Sequence, residues 1–137
     1  MLNKKNKTND LNEKIDKLDT IIGEGSSFEG NIKAEGIVRI DGILKGDLET
    51  KGDVYIGENA RVEGNIKGRN LFVSGSIQGN VDVAQRLELN SIARLYGSIT
   101  VGNLIIEQGA VFKGDCMTKS SEEDTDSAVV HNTAVNV

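Results

Sequence analysis

A repeat of about 17 residues constrains the fold of this chain more than any other feature of its sequence. One five-residue form recurs six times: an apolar residue, any residue, glycine, a small polar residue and a second apolar residue. Its glycines stand at positions 30, 46, 64, 79, 97 and 114. A period sustained over residues 28–116 indicates that one structural unit is stacked on itself. The segments are FEGNI, LKGDL, VEGNI, IQGNV, LYGSI and FKGDC.

A second apolar series has the same period and lies between the first. It consists of pairs two residues apart, whose side chains share one face of a strand while the residue between them points the other way. Short strands with one dry face, interrupted by glycines, predict an all-β fold: a single-stranded parallel β-helix of about six short coils. The pairs are Val38 and Ile40, Val54 and Ile56, Leu71 and Val73, Leu87 and Leu89, and Leu104 and Ile106.

Stacking places equivalent residues of successive coils in columns, and these columns are the predicted core. Because only 4% of the residues are aromatic and tryptophan is absent, aliphatic side chains must fill it. Each contributes about 1.5–3 kcal/mol before entropy is subtracted, so we expect the stack, not the single coil, to be stable. One predicted column holds Phe28, Leu44, Val62, Ile77, Leu95 and Phe112, and the next holds Ile32, Leu48, Ile66, Val81, Ile99 and Cys116.

The length of 137 residues fits one domain with tails. We expect an N-terminal tail at 1–22, a β-helix domain at 23–117 and a disordered acidic tail at 118–137. Leu11, Ile15, Leu18 and Ile22 are spaced four, three and four residues apart, which predicts a short amphipathic helix over 11–22. The C-terminal tail is polar and acidic without a sustained period, which is typical of disorder.

Groups that usually carry catalysis or hold cofactors are scarce. The only histidine, His131, lies in the acidic tail, where a general base is poorly positioned. The single cysteine, Cys116, ends a predicted core column and is interpreted as an apolar packing residue. No GxxxxGK[ST] phosphate loop is present, and a net charge of -5 gives nucleic-acid binding little support. We therefore expect no enzyme activity, cofactor, metal site, nucleotide or nucleic-acid partner.

Two other interpretations stay open. Apolar or threonine residues fall every six positions over parts of the chain, which resembles the left-handed β-helix of hexapeptide-repeat acyltransferases. Against this enzyme, the frame slips by nine residues between Val62 and Leu71, and the coils contain no histidine to activate an acceptor. The other alternative is a soluble β-helix binding module that stays monomeric.

The segments TIIGEGSSFEGNI at 20–32 and RIDGILKGDL at 39–48, followed by repeated G[NDS][ILV] coils, resemble the bactofilins, bacterial polymer-forming cytoskeletal proteins. The resemblance covers about residues 20–116. It implies a right-handed β-helix with flexible tails that assembles end to end into nonpolar filaments without nucleotide. It also implies a scaffold beneath the membrane for cell-wall or morphogenetic proteins, with roles such as cell shape.

The two ends of a β-helix are templates for another chain, because their backbone groups and core columns are open. At the C-terminal end we expect Val111, Phe112 and Ile106 to form the polymerisation interface. Phe112 resembles the phenylalanine of the family's C-terminal polymer contact. At the N-terminal end, Phe28 and Ile32 occupy the equivalent position. These five residues are the predicted sites of homopolymer formation.

The first seven residues, MLNKKNK, resemble the membrane-targeting ends of some bactofilins. A monomer would bind weakly through so short a segment, and a filament would bind by multivalency. A single cysteine and the absence of a signal-peptide pattern favour the cytoplasm, with the filament peripheral to the inner face of the cell membrane. The predicted membrane contacts are Met1, Leu2, Lys4, Lys5 and Lys7.

Overall fold

In the computed structural model of the protein, the described residues are 18–119 and two short strands, Val129–Val130 and Val135–Asn136. Every regular element among them is a β-strand. The strands are β1 (Leu18–Ile22), β2 (Ser27–Glu29), β3 (Ile32–Ala34), β4 (Ile37–Ile40), β5 (Ile43–Lys45), β6 (Leu48–Thr50), β7 (Val54–Ile56), β8 (Arg61–Glu63), β9 (Ile66–Val73), β10 (Ser76–Gln78), β11 (Val81–Leu89), β12 (Arg94–Tyr96), β13 (Ile99–Ile106), β14 (Val111–Lys113), β15 (Cys116–Thr118), β16 (Val129–Val130) and β17 (Val135–Asn136).

These strands wrap into a solenoid with three faces. Face 1 is the parallel sheet β2-β5-β8-β10-β12-β14. The long strands β9, β11 and β13 each turn a corner: Ile66 of β9 pairs with β6, whereas Leu71 pairs with β7. Their first halves therefore continue face 2, which begins with β3 and β6 and ends with β15. Their second halves continue face 3, which begins with β1, β4 and β7. Six strand segments on each face make six turns, as predicted.

Register along the faces confirms both predicted core columns. On face 1, Phe28 pairs with Leu44, Leu44 with Val62, and the series runs on to Phe112. On face 2, Ile32 pairs with Leu48, and that series runs on to Cys116. The predicted apolar pairs line face 3, where Val38 is in register with Val54. All three faces thus direct an aliphatic column into one continuous core.

Glycine forms the corner between face 1 and face 2 in every turn. Gly97 has φ 144°, a conformation that residues with a Cβ rarely adopt. A Cβ on Gly97 would also overlap the carbonyl oxygen of Gly79 in the turn before. The corner glycine of each later turn meets the preceding one in the same way, so backbone packs directly on backbone. This contact explains why the repeat requires glycine at its third position.

The small polar residue after each corner glycine forms a side-chain ladder. The amide N–H of Asp47 donates to Oδ1 of Asn31 at 3.0 Å, and that of Asn65 donates to Oδ1 of Asp47 at 2.9 Å. The same contact joins Asn80 to Asn65 at 3.0 Å and Ser98 to Asn80 at 3.2 Å. The side chains therefore satisfy backbone donors at a bend where the strands cannot. This accounts for the G[NDS] pattern.

The predicted helix over 11–22 is wrong for residues 18–22, which form strand β1. This strand pairs in parallel with β4, with Ile22 opposite Ile40, and Ile22 is buried in the core. Pairing supplies hydrogen bonds and burial that a marginal helix in water lacks. Residues 11–17 lie outside the described residues. The β-helix therefore begins at Leu18 instead of the predicted residue 23, and its last parallel strand ends at Thr118.

The predicted disordered tail at 118–137 falls mostly outside the described residues. Within it, β16 and β17 are described as strands. They pair antiparallel with the last strands of two faces: β16 with β15, and β17 with β14. The sequence predicted a C-terminal end followed only by a polar tail. In the structure, tail backbone lies along that end.

We predict that Gly97→Ala lowers the free energy of unfolding by about 2 kcal/mol or more, because it combines backbone strain with a backbone clash. Urea unfolding followed by circular dichroism measures the loss. Gly23→Ala is the matched control, since nothing lies within 4 Å of a Cβ at that position. Equal stability of the two variants would contradict the structural role of the corner.

Candidate assembly surfaces

The N-terminal end of the solenoid is an open edge. Within the described part of the chain, β1, β2 and β3 each pair on one side only. The side chain of Phe28, the first member of the face 1 column, is 40% exposed. Ile32 and Ala34 are partly buried against the core. The end therefore offers both free strand edges and an unfinished apolar core.

The C-terminal end is covered more completely. Phe112 is only 1% exposed and Cys116 is buried, whereas Leu104 and Ile106 are partly buried. Val111 points outward from face 1 and is half-buried. Here β14 and β15 have partners on both sides, because β17 and β16 occupy their outer edges. On face 3, the second half of β13 pairs with β11 and, among the described residues, with no further strand.

The five predicted interface residues thus separate into two groups at opposite ends. Five spacings of about 4.8 Å place the groups about 24 Å apart along the rod. Phe28 and Ile32 lie at the open end, and Val111, Phe112 and Ile106 at the end that bears the tail strands. The predicted membrane contacts Met1, Leu2, Lys4, Lys5 and Lys7 lie outside the described residues, as does His131.

Cys116 behaves as the apolar packing residue that its column predicts. It is in register with Ile99, and its side chain is buried. Burial raises the pKa of the Cys116 thiol above its ordinary value, because the thiolate would lose solvation. Among residues 18–119, no three Cys, His, Asp or Glu side chains come together as a metal site. The described chain also forms no helix long and apolar enough to cross a membrane.

A shallow groove of about 450 Å³ runs along face 2. Its lining includes Asn65 and Asn80, whose Oδ1 atoms already accept backbone N–H groups of the ladder. Glu49, Lys67 and Asp82 follow one another along its length. Because their charges alternate in sign, they produce no uniform field for a charged ligand. The groove is therefore interpreted as a product of stacking and not as a ligand site.

One outward column differs from the others and was missed by the sequence analysis. Faces 1 and 2 carry mainly charged and polar side chains outward, whereas face 3 carries four apolar ones in a column of six. We call this column the outer stripe. Its rings at Tyr55 and Phe72 are stacked, with centroids 5.0 Å apart and planes at 15°. The outer stripe consists, in order, of Ile21, Arg39, Tyr55, Phe72, Glu88 and Ile105.

The signal for this stripe was present in the sequence. Five of its members are the residues enclosed by the five apolar pairs. The repeat that predicts the core therefore also gives the positions of these five residues. The sixth, Ile21, was assigned to the N-terminal helix and so lost its place in the column.

Comparison with known proteins agrees with this architecture. The family profile described as "Bactofilin: Polymer-forming cytoskeletal" matches residues 20–117. Bactofilin BacO of Myxococcus xanthus is 30% identical over 96 residues, which cover 70% of this chain and 76% of BacO. Bactofilin BacP of the same organism is 26% identical over 95 residues, 69% of this chain and 40% of BacP.

A solved structure also matches. The cryo-EM reconstruction of Thermus thermophilus bactofilin double helical filaments gives a TM-score of 0.67 at 30% identity, and the match covers 74% of this chain and 100% of that one. The resemblance predicted from the glycine motifs is confirmed. The chain belongs to the bactofilins, a family of polymer-forming cytoskeletal proteins.

Proposed function

We propose that this protein is a cytoskeletal scaffold whose β-helices join end to end into nonpolar filaments without nucleotide. The observation that carries the proposal is the N-terminal end, where Phe28 is 40% exposed beside strands that, among the described residues, are paired on one side only. Joining two such ends extends the sheets and buries the rings at once. Each strand edge and each exposed ring favours the joint.

Joints between like ends suit this rod. A contact between two N-terminal ends uses the same surface on both partners, so one two-fold axis completes it. A contact between two C-terminal ends does the same through Val111, Phe112 and Ile106. Filaments built from alternating joints of these two kinds have no polarity.

The C-terminal joint needs a strand edge that the tail occupies. β16 and β17 lie along β15 and β14, where the strands of a second molecule would otherwise pair. Because one edge accepts one partner, filament growth at this end displaces the tail. The tail therefore acts as an internal competitor of assembly.

The proposed function also includes binding to the membrane and to partner proteins. Residues 1–7 are the candidate membrane contact, because three lysines there contribute about 1 kcal/mol each near an anionic surface. A filament presents many copies of this segment, so that weak contacts add up on the inner face of the membrane. The filament would then position cell-wall or morphogenetic proteins.

A double filament, as in the Thermus thermophilus relative, further requires a side-to-side contact.

We predict that Phe28→Arg and Phe112→Arg each stop assembly at dimers, because each blocks one joint with a charge that must be desolvated and leaves the other joint intact. Size-exclusion chromatography with light scattering gives the mass, and circular dichroism checks the β-rich fold. Phe112 is fully buried, so Val111→Arg on the same strand serves as a second, outward-pointing variant.

A polar filament predicts a different result. In that case neither variant forms dimers alone, and only their mixture does. A wild-type protein that stays monomeric at all concentrations contradicts the filament proposal and favours the soluble binding module.

We predict that deletion of residues 120–137 lowers the protein concentration needed for assembly by about tenfold. The deletion removes backbone hydrogen bonds, each worth about 1 kcal/mol, that the C-terminal joint must otherwise break. Pelleting across a concentration series measures the threshold. A variant with residues 120–137 scrambled controls for length and charge, and equal thresholds for the wild type and the deletion would contradict competition by the tail.

We predict that liposomes containing anionic lipid co-sediment with the full chain and much less with a chain lacking residues 1–7. Neutral liposomes supply the electrostatic control. The triple variant Lys4→Gln, Lys5→Gln and Lys7→Gln separates charge from the apolar start. If the truncated chain pellets as well as the full chain, the N-terminal contact is wrong.

A further inference from the structure

The outer stripe is self-complementary when two copies are placed antiparallel. Its order from the first turn to the last is apolar, basic, aromatic, aromatic, acidic, apolar: Ile21, Arg39, Tyr55, Phe72, Glu88 and Ile105. A second stripe running the opposite way sets Arg39 against Glu88 and Tyr55 against Phe72. Ile21 then meets Ile105. Each contact occurs twice, once on each side of a two-fold axis between the aromatic residues.

We propose that the outer stripe is the side-to-side contact between two filaments of this protein, and that the two solenoids lie antiparallel there. The proposal rests on the filament proposed above. The occupant is a second copy of the chain, identified by the match of charged and apolar positions along the stripe.

Exposure supports a contact at this surface. Ile21 is 56% exposed and Ile105 is 43% exposed, at opposite ends of the stripe. Tyr55 and Phe72 are half-buried by each other and form a flat, rigid platform at its centre. Aromatic side chains of this kind supply large contact area at small entropic cost. Four of the six outward side chains in this column are apolar or aromatic, whereas the outward side chains of faces 1 and 2 are mainly charged and polar.

The charges decide between the two possible orientations. A parallel arrangement places Arg39 against Arg39 and Glu88 against Glu88, and like charges in contact are unfavourable. The antiparallel arrangement places opposite charges together. Within each chain Arg39 pairs with Asp41 at 2.8 Å and Glu88 with Arg86 at 2.9 Å. In the antiparallel contact these two pairs lie together, with Arg39 facing Glu88 of the other chain, whereas a parallel contact sets each pair against its own copy.

The size of the stripe explains why it joins filaments and not single molecules. The six turns are separated by five spacings of about 4.8 Å, so the stripe is about 24 Å long, and a width of about 10 Å gives roughly 240 Å² on each partner. A stable complex buries about 800 Å² on each partner. One stripe is therefore too small, and repetition along a filament supplies the remaining affinity. An antiparallel contact also suits a nonpolar filament, since subunits of both directions are present in each.

Charge exchange tests the contact. We expect Arg39→Glu and Glu88→Arg each to reduce the fraction of filament length found in pairs by roughly fivefold or more, measured by negative-stain microscopy at low ionic strength. The double variant is expected to regain most of the pairing. Positions 39 and 88 are three turns, about 14 Å, apart in one chain, so a direct contact between them within the chain cannot produce this rescue.

The matched control is Lys67→Glu, which makes the same change of charge on face 2 and should leave pairing unchanged. Loss of filament pairing in both single variants without rescue in the double variant overturns the proposal. Filament pairing that none of these substitutions changes overturns it as well. Absence of filaments from the wild-type protein is a separate result, because it refutes the proposed function itself.

Cross-linking fixes the orientation. Arg39→Cys and Glu88→Cys are made separately in a chain that also carries Cys116→Ser. The antiparallel contact predicts a disulfide between the two variants when they are mixed, and little in either alone. The parallel contact predicts the reverse. Joints at the ends of the rod keep these positions about 14 Å or more from their counterparts, beyond the reach of a disulfide.

Discussion

Direct packing of backbone on backbone at the glycine corner is the contact on which the other features of this protein depend. Each corner glycine after the first lies against the carbonyl of the one before it, so successive turns approach to the spacing of hydrogen-bonded strands. A Cβ at these positions would force the turns apart on all three faces. With the spacing kept, equivalent residues form columns, and the apolar columns close into one core. The fold therefore needs few aromatic residues, and each face needs only a short strand segment from each turn.

The inward columns could be predicted because stacking requires an apolar residue at the same inward position of each turn. Leu44, Val62 and Ile77 occupy the same place in successive repeats, so the period of the sequence becomes the register of neighbouring strands. The polar ladder was only partly predicted: the small polar residue was seen, but its hydrogen bond to the next turn was not. That hydrogen bond depends on the distance between successive turns, which cannot be read directly from the sequence.

The first and last parts of the solenoid were harder to predict. β1 lies before the first glycine corner, so no repeat identifies it, and the spacing of Leu18 and Ile22 also fits a helix. Residues 18–22 form a strand because the neighbouring strand β4 pairs with four of them. The tail strands β16 and β17 contain two residues each. Segments so short carry no periodicity, and their pairing follows from the open edge beside them.

The strand edge of the last turn links the stability of the fold to the assembly of the protein. A solenoid gains each turn by adding strands to an edge, so its last turn always presents the surface that the next would use. A second molecule and the chain's own tail can both satisfy it. The tail is tethered, and short tethers give effective concentrations in the millimolar range. In the proposed assembly, even two-residue strands can therefore compete with a partner present at micromolar concentration, so the balance depends on protein concentration.

The residues at outward positions are constrained differently from those at inward positions. Stacking aligns both sets in columns, but only the inward set is held to apolar residues by the core. A change at Leu71 alters the stability of the rod, whereas a change at Phe72, which points the other way, leaves the core intact. Assembly surfaces can therefore vary without loss of the fold. In the outer stripe, one basic and one acidic residue lie at equal distances from the middle of the rod, so the proposed two-fold contact between rods sets Arg39 of one rod against Glu88 of the other.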